Sequence, residues 1–283
     1  MMRSVEVEQP DVLARLGAEI GADIAEGRLT LPVLPNVAAE VMASSVDERA
    51  DAARLAVLIQ QDQSLASYLL RVSNSAAFRG SIEIVSLQQA IARLGMARIR
   101  EIALSASLKG SLFREGPHPE LVDQLWRQAL AAALWTKEVA RAARRSVELG
   151  YLCGLLHRLG APLVLQQLGI RRPGLDAAAA IALVDRHQRA AGVALAWTWA
   201  LPLPVCAAIE HLTDPAAAGR HAELVAATAC GARLSRADGS RDEALAALLA
   251  LPGAHLLDLY PEDYAALLDR QADIDAAVAS MVL

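Results

Sequence analysis

The apolar residues of this chain recur with the helical period of 3.6 from one end to the other, and strand-like alternation is sustained nowhere. That pattern predicts an all-α protein. Composition agrees: much of the 54% hydrophobic fraction is alanine, the strongest helix former, while aromatic residues make up only 4%. With 283 residues the chain is long enough to bury a sizeable core, as one large domain or as two lobes.

The breaks in the pattern divide the chain. A first amphipathic helix fits residues 11–26, and Leu31-Pro32-Val33-Leu34-Pro35 cannot continue it, because each proline pushes the preceding residue out of the α region. Helices are expected at 37–45, 51–61 and 64–75, with Asp51 near the start of the second and Asp62 or Ser64 capping the third. Ser86 is placed to cap the next, Leu87 to Leu94, and Gly95 to end it. After a helix at 96–109, the run Arg114 to Pro119 holds two prolines and a glycine and is the expected lobe boundary. Beyond it come a long helix at 120–143, the helix leading to His157, and others at 175–190, 192–200, 204–212, 220–236, 241–250 and 262–281. The expected division is an N-terminal helix at 1–23, lobes at 24–114 and 120–217, and a helical extension at 218–283.

Several functional classes are disfavoured. The uncharged stretch from Ala190 to Ile209 approaches the length of a bilayer span, but Pro202 and Pro204 split it, so two buried helices are expected and no membrane association. The first residues lack the apolar segment of a secretory signal. Cys153, Cys206 and Cys230 are odd in number and widely spaced in helical contexts, which predicts reduced core thiols and a cytoplasmic setting. A net charge of −5 and short basic clusters, such as Arg141 to Arg145, argue against nucleic acid as a partner.

Six segments, in order, resemble the HDOD family, the HD-related output domain of bacterial signalling proteins. Leu31 to Pro35 is similar to its opening Leu-Pro-x-Leu-Pro. Leu58 to Asp62, followed by the run Leu69 to Phe78 with Asn74 and Ser75, is similar to its Asp-Pro and Leu-Leu-Arg-x-x-Asn-Ser-Ala-x-Phe segments, with Gln63 in place of the proline. Ile84 to Gly95, Leu125-Trp126-Arg127, Gly154 to His157, and Trp199 to Pro202 complete the series. The resemblance covers residues 24–217 and implies an HDOD domain there: two packed helical lobes, the C-terminal one like HD-type metal-dependent phosphohydrolases.

The departures decide the expected chemistry. Where the resemblance places the HD aspartate stands Arg158, which has no lone pair to give and repels a cation. Gln128 and Gln188 fall where histidines are expected, and Leu212 and Thr213 where a His-His pair is expected. His187 and His211 are each displaced by one residue, a rotation of about 100° on a helix. His157 alone matches, and one imidazole is a poor metal site. It is read as a hydrogen-bonded core histidine. His118, His221 and His255 are read as surface residues, Asn74 and Ser75 as helix-end residues, and Trp126, Trp197 and Trp199 as packing between helices. Arg158 needs a partner, for which Glu138, Glu148, Asp185 or a bound phosphate are candidates.

These readings predict a non-catalytic, cytoplasmic regulatory protein without cofactor or metal, acting through contact with a protein partner of a signalling pathway, with residues 24–114 as the contact surface. No receiver, cyclase or DNA-binding unit is expected in the remaining ends. The alternative is a sensor in which His157, Arg158, Gln128 and Gln188 bind a phosphate-bearing nucleotide in the former metal pocket. A surviving metal phosphohydrolase is the third reading.

Overall fold

A computed structural model describes residues 10–44, 52–78, 80, 82–113, 118–237 and 239–282. The fold is all-α, with no strand among the described residues. Helix α1 (Pro10–Ala25) precedes the first lobe, formed by α2 (Asn36–Ser44), α3 (Ala52–Gln61), α4 (Gln63–Ser73) and α5 (Leu87–Leu112). The second lobe is built on α6 (Pro119–Ala142), α7 (Val147–Leu156), α8 (Gly160–Arg171), α9 (Ala177–Thr198) and α10 (Leu203–Glu210). Then follow α11 (Ala222–Leu234), α12 (Arg241–Leu249), α13 (Pro261–Leu268) and α14 (Gln271–Val282).

The helix ends follow local chemistry. The Asp62 carboxylate accepts from the Leu65 amide at 3.0 Å, and Ser86 Oγ from the Gln89 amide at 3.2 Å, each satisfying an orphan donor of a first turn. Gly95, with φ of 78°, separates Leu87–Leu94 from the rest of α5. Asp51 and Arg114 to Pro117, where a helix start and the lobe boundary were expected, lie outside the described residues.

Three expectations need correction. Residues 175–190 and 192–200 are not two helices: α9 runs unbroken through Gly192, which faces the backbone of Gly160 closely enough that a Cβ there would stand 3.2 Å from the Gly160 nitrogen. Its missing side chain serves helix contact rather than a break. The expected helix at 262–281 is instead two, α13 and α14, parted around Asp269 and Arg270. Trp197 is not packed between helices but 63% exposed, whereas Trp126 is buried and Trp199 donates its indole N–H to the Pro32 carbonyl at 2.8 Å.

One apolar cluster runs from Val37 and Ile59 in the first lobe through Trp126, Trp135 and Leu156 to Met281 near the chain's end. The lobes therefore meet across dry surface, the principal stabilising term in such packing. A second, smaller cluster joins Leu16 and Ile20 of α1 to Val164, Leu168, Leu183 and Val184 of α8 and α9. No described helix is long and apolar enough to cross a membrane, and Ala200, with φ of 49°, marks the turn between α9 and α10 where Pro202 follows.

Candidate functional site

Helix α7 is buried along most of its length, and His157 follows its last residue. Gly154 permits this depth, since a Cβ there would lie 2.5 Å from the Ala132 carbonyl of α6. His157 is 5% exposed, and its Nδ1 lies 2.7 Å from the Gly154 carbonyl; the carbonyl can only accept, so Nδ1 carries the proton. Nε2 has no partner among the described residues. Burial pushes the imidazole pKa down to about 3, with the Arg158 charge adding to the effect, so the ring is neutral.

Arg158 turns instead toward α6 and α9. Its Nε donates to Gln188 Oε1 at 2.5 Å, its Nη1 to Gln128 Oε1 at 3.3 Å, and its Nη2 to Asp185 Oδ1 at 2.6 Å. Gln188 Nε2 also donates to Asp185 Oδ1 at 3.1 Å, closing the ring of contacts. The Arg158 side chain is 13% exposed and that of Asp185 53%. Burial first, and then the charge of nearby Arg236, lowers the arginine's pKa to about 10 against the opposing pull of Asp185, so it stays charged. Of the carboxylates considered as partners, Asp185 is the one used; Glu138 pairs with Arg141 and Arg270.

The structure thus gathers Gln128, Arg158 and Gln188 into one cluster and turns His157 away from their hydrogen bonds. His187 faces α1, where a Cβ added at Gly17 or Gly21 would stand 3.4 or 3.3 Å from its ring. Gln188, one residue on, faces the site, as the 100° rotation requires. His211 caps α10 near Glu210. His118 is half-buried with Nε2 unpartnered among the described residues, so it is not the surface residue expected. Asn74 does hold a helix end, but by clamping Ile84, whose amide donates to its Oδ1 at 2.8 Å and whose carbonyl accepts from its Nδ2 at 2.7 Å.

This donor set does not fit the divalent metal of an HD-type site. Both glutamine oxygens are turned to a cation already present, and the nearest carboxylate neutralises it. No group of three His, Cys, Asp or Glu side chains among the described residues is arranged to hold a metal ion.

Beside the cluster lies a cavity of about 170 Å³, walled by Leu121, Leu125, Leu165, Ile181 and Val184 and bordered by Gln124, Gln128, Arg158, Asp185 and Arg236. Sequence reasoning missed Arg236 because it sits past α11, outside the stretch of family resemblance, and no motif marks it.

The HDOD domain family model matches residues 31–215, well over half of the chain. The chain belongs to the HDOD family. A Geobacter sulfurreducens HDOD domain protein of unknown function is similar in structure, with a TM-score of 0.67 at 21% identity, covering 96% of this chain and 99% of that one. A Shewanella amazonensis protein described as a candidate metal-dependent phosphohydrolase gives a TM-score of 0.69 at 23% identity, covering 95% and 99%. A Marinobacter aquaeolei protein described as a candidate signal transduction protein gives 0.62 at 21% identity, covering 99% and 68%. These likenesses establish the HDOD fold. In sequence, an uncharacterized Treponema pallidum protein is 25% identical over 224 residues, 75% of this chain; the present chain spans only 43% of that protein's length.

Proposed function

We propose that this HDOD protein is a non-catalytic regulator in the bacterial cytoplasm, working through contact with a protein partner of a signalling pathway. The observation that carries the reading is Arg158, in the place of the HD aspartate, with Gln128, Gln188 and Asp185 all turned to it. A scaffold whose metal position is filled by a neutralised guanidinium keeps its shape and loses its Lewis acid. The first lobe is the candidate contact surface. It exposes Val33, Val57, Ile82 and Val85, the last two 72% and 68% open. Exposed apolar residues also stand elsewhere, at Ile170, Trp197 and Tyr260, so Ile82 and Val85 are the pair at which a first-lobe contact is tested.

A whole nucleotide in the former metal pocket is less well supported. The cavity beside Arg158, at 170 Å³, lies below the roughly 300 Å³ at which pockets for ligands of nucleotide or drug size begin.

The test is affinity capture from the native host with wild type and with an Ile82→Arg, Val85→Arg double variant of equal thermal stability. A partner retained by wild type and lost by the variant is expected. Identical capture by both would remove the first lobe from the account, and turnover of phosphodiesters with added Mn²⁺ would remove the non-catalytic reading.

A further inference from the structure

The cavity beside Arg158 holds two guanidinium groups and one carboxylate. Asp185 is taken by Arg158 at 2.6 Å, while the Arg236 side chain makes no hydrogen bond or ion pair with a described residue. Two positive charges therefore share one carboxylate beside a cavity whose walls are chiefly apolar. Low-dielectric walls strengthen attraction for an anion, and guanidinium forks match the geometry of carboxylate and phosphate oxygens. Burial, and after it repulsion from Arg236, holds the Arg158 pKa below its ordinary value.

We propose that this cavity is a binding site for a small oxyanion bearing a short apolar group, with Arg236 as its main cation and Arg158 as the second. Size sets the class. An apolar cavity of about 150 Å³ accepts benzene, so 170 Å³ accommodates an apolar body of roughly six non-hydrogen atoms, with the oxyanion group directed to the arginines. Short-chain carboxylates and small phosphate monoesters satisfy both conditions. The apolar part lies against Leu121, Leu165 and Val184, and the oxyanion faces the two arginines. The adjoining groove, which shares Gln124 and Gln128, carries Glu120, Asp123 and Asp275 against the single cation Arg127, and this acidic excess favours an anion at the Arg158 and Arg236 end. Within the site Asp185 competes with the ligand for Arg158, so it weakens binding. This goes beyond the protein-contact reading and does not depend on it.

Calorimetric titration of the full chain with hexanoate, phenyl phosphate and inorganic phosphate tests the site. Saturable binding of hexanoate or phenyl phosphate, tighter than inorganic phosphate, is expected, and the better of the two identifies the headgroup. Arg236→Gln is exposed enough to leave the fold intact and should weaken binding about tenfold, the worth of one charge-assisted hydrogen bond. Asp185→Asn should strengthen it. Opposite shifts in the two variants are not produced by general loosening of the fold. Absence of saturable binding of all three probes by wild type in the millimolar range, or equal affinity in wild type and Arg236→Gln, would overturn the proposal. Capture of a protein partner is unaffected by either result, so the two readings fail separately.

Discussion

Two ionic clusters lie on either side of α6, and they are built differently. At the lobe junction, Glu101 of α5 accepts from Lys137 of α6 and, at 2.8 Å, from Arg98 Nη1; the Glu101 and Lys137 side chains are 10% and 9% exposed. Tyr151 of α7 closes the same network, its hydroxyl 2.7 Å from Ser105 Oγ of α5. The pair at its centre joins two helices and is shut away from water. The Arg158 cluster is shut on one side only, for its carboxylate, Asp185, is 53% exposed and a cavity adjoins it. A closed ion pair fixes how two helices meet, whereas an open one leaves a charge that solvent or a ligand can reach. The first joins the helices; the second is the open site on which the proposed ligand rests.

The sharpest break in that contrast is Glu101→Gln. It leaves Lys137 buried, its pKa already lowered by desolvation, with its ion-pair partner gone, and should cost about 3–5 kcal/mol in chemical denaturation. Adding Lys137→Met should recover much of the loss, since an apolar replacement of a buried pair is tolerated better than half of one. A loss below about 1 kcal/mol on the single change, the range of exposed pairs, would show that the junction is wetter than the burial of Lys137 implies.

The next effect is in acid. His157 is neutral in the fold, with its pKa near 3 against 6.5 in the unfolded chain, so between those values only the unfolded state takes up the proton. Its contribution to stability is complete above pH 6.5 and is lost progressively as the pH drops toward 3. His157→Phe should flatten that part of the stability profile. An unchanged acid slope would mean that other groups carry it.

The smallest effect is expected at the open cluster. Asp185→Asn breaks an ion pair whose carboxylate is half in water, and thermal denaturation should register about 1 kcal/mol or less. A loss as large as that of Glu101→Gln would erase the distinction between the two clusters.

The fold was legible because helix formation is local. The period, the caps at Asp62 and Ser86, and the stop at Gly95 each act within a few residues, and each stands where the chain places it. Gly192 misled because a glycine that breaks a helix and one that admits a neighbouring backbone look alike until Gly160 is brought beside it. At the site, Arg158, Gln128 and Gln188, singled out through the resemblance, come together while His157 does not join them, and the helical rotation explains why His187 faces elsewhere. Asp185 was one carboxylate among three candidates, and Arg236 was not in view. Both enter through tertiary contact between α8, α9 and the end of α11, at separations no sequence spacing encodes.

The central claim is that Arg158 ends metal chemistry at this position without any single change being able to restore it. Arg158→Asp returns the carboxylate of the HD pair but faces Asp185 with a like charge and leaves Gln128 and Gln188 in place. Titration of wild type and Arg158→Asp with Mn²⁺, followed by phosphodiester hydrolysis, should give no stoichiometric metal and no turnover in either protein, with lower thermal stability in the variant. Tight Mn²⁺ binding with metal-dependent hydrolysis in either protein would contradict the account.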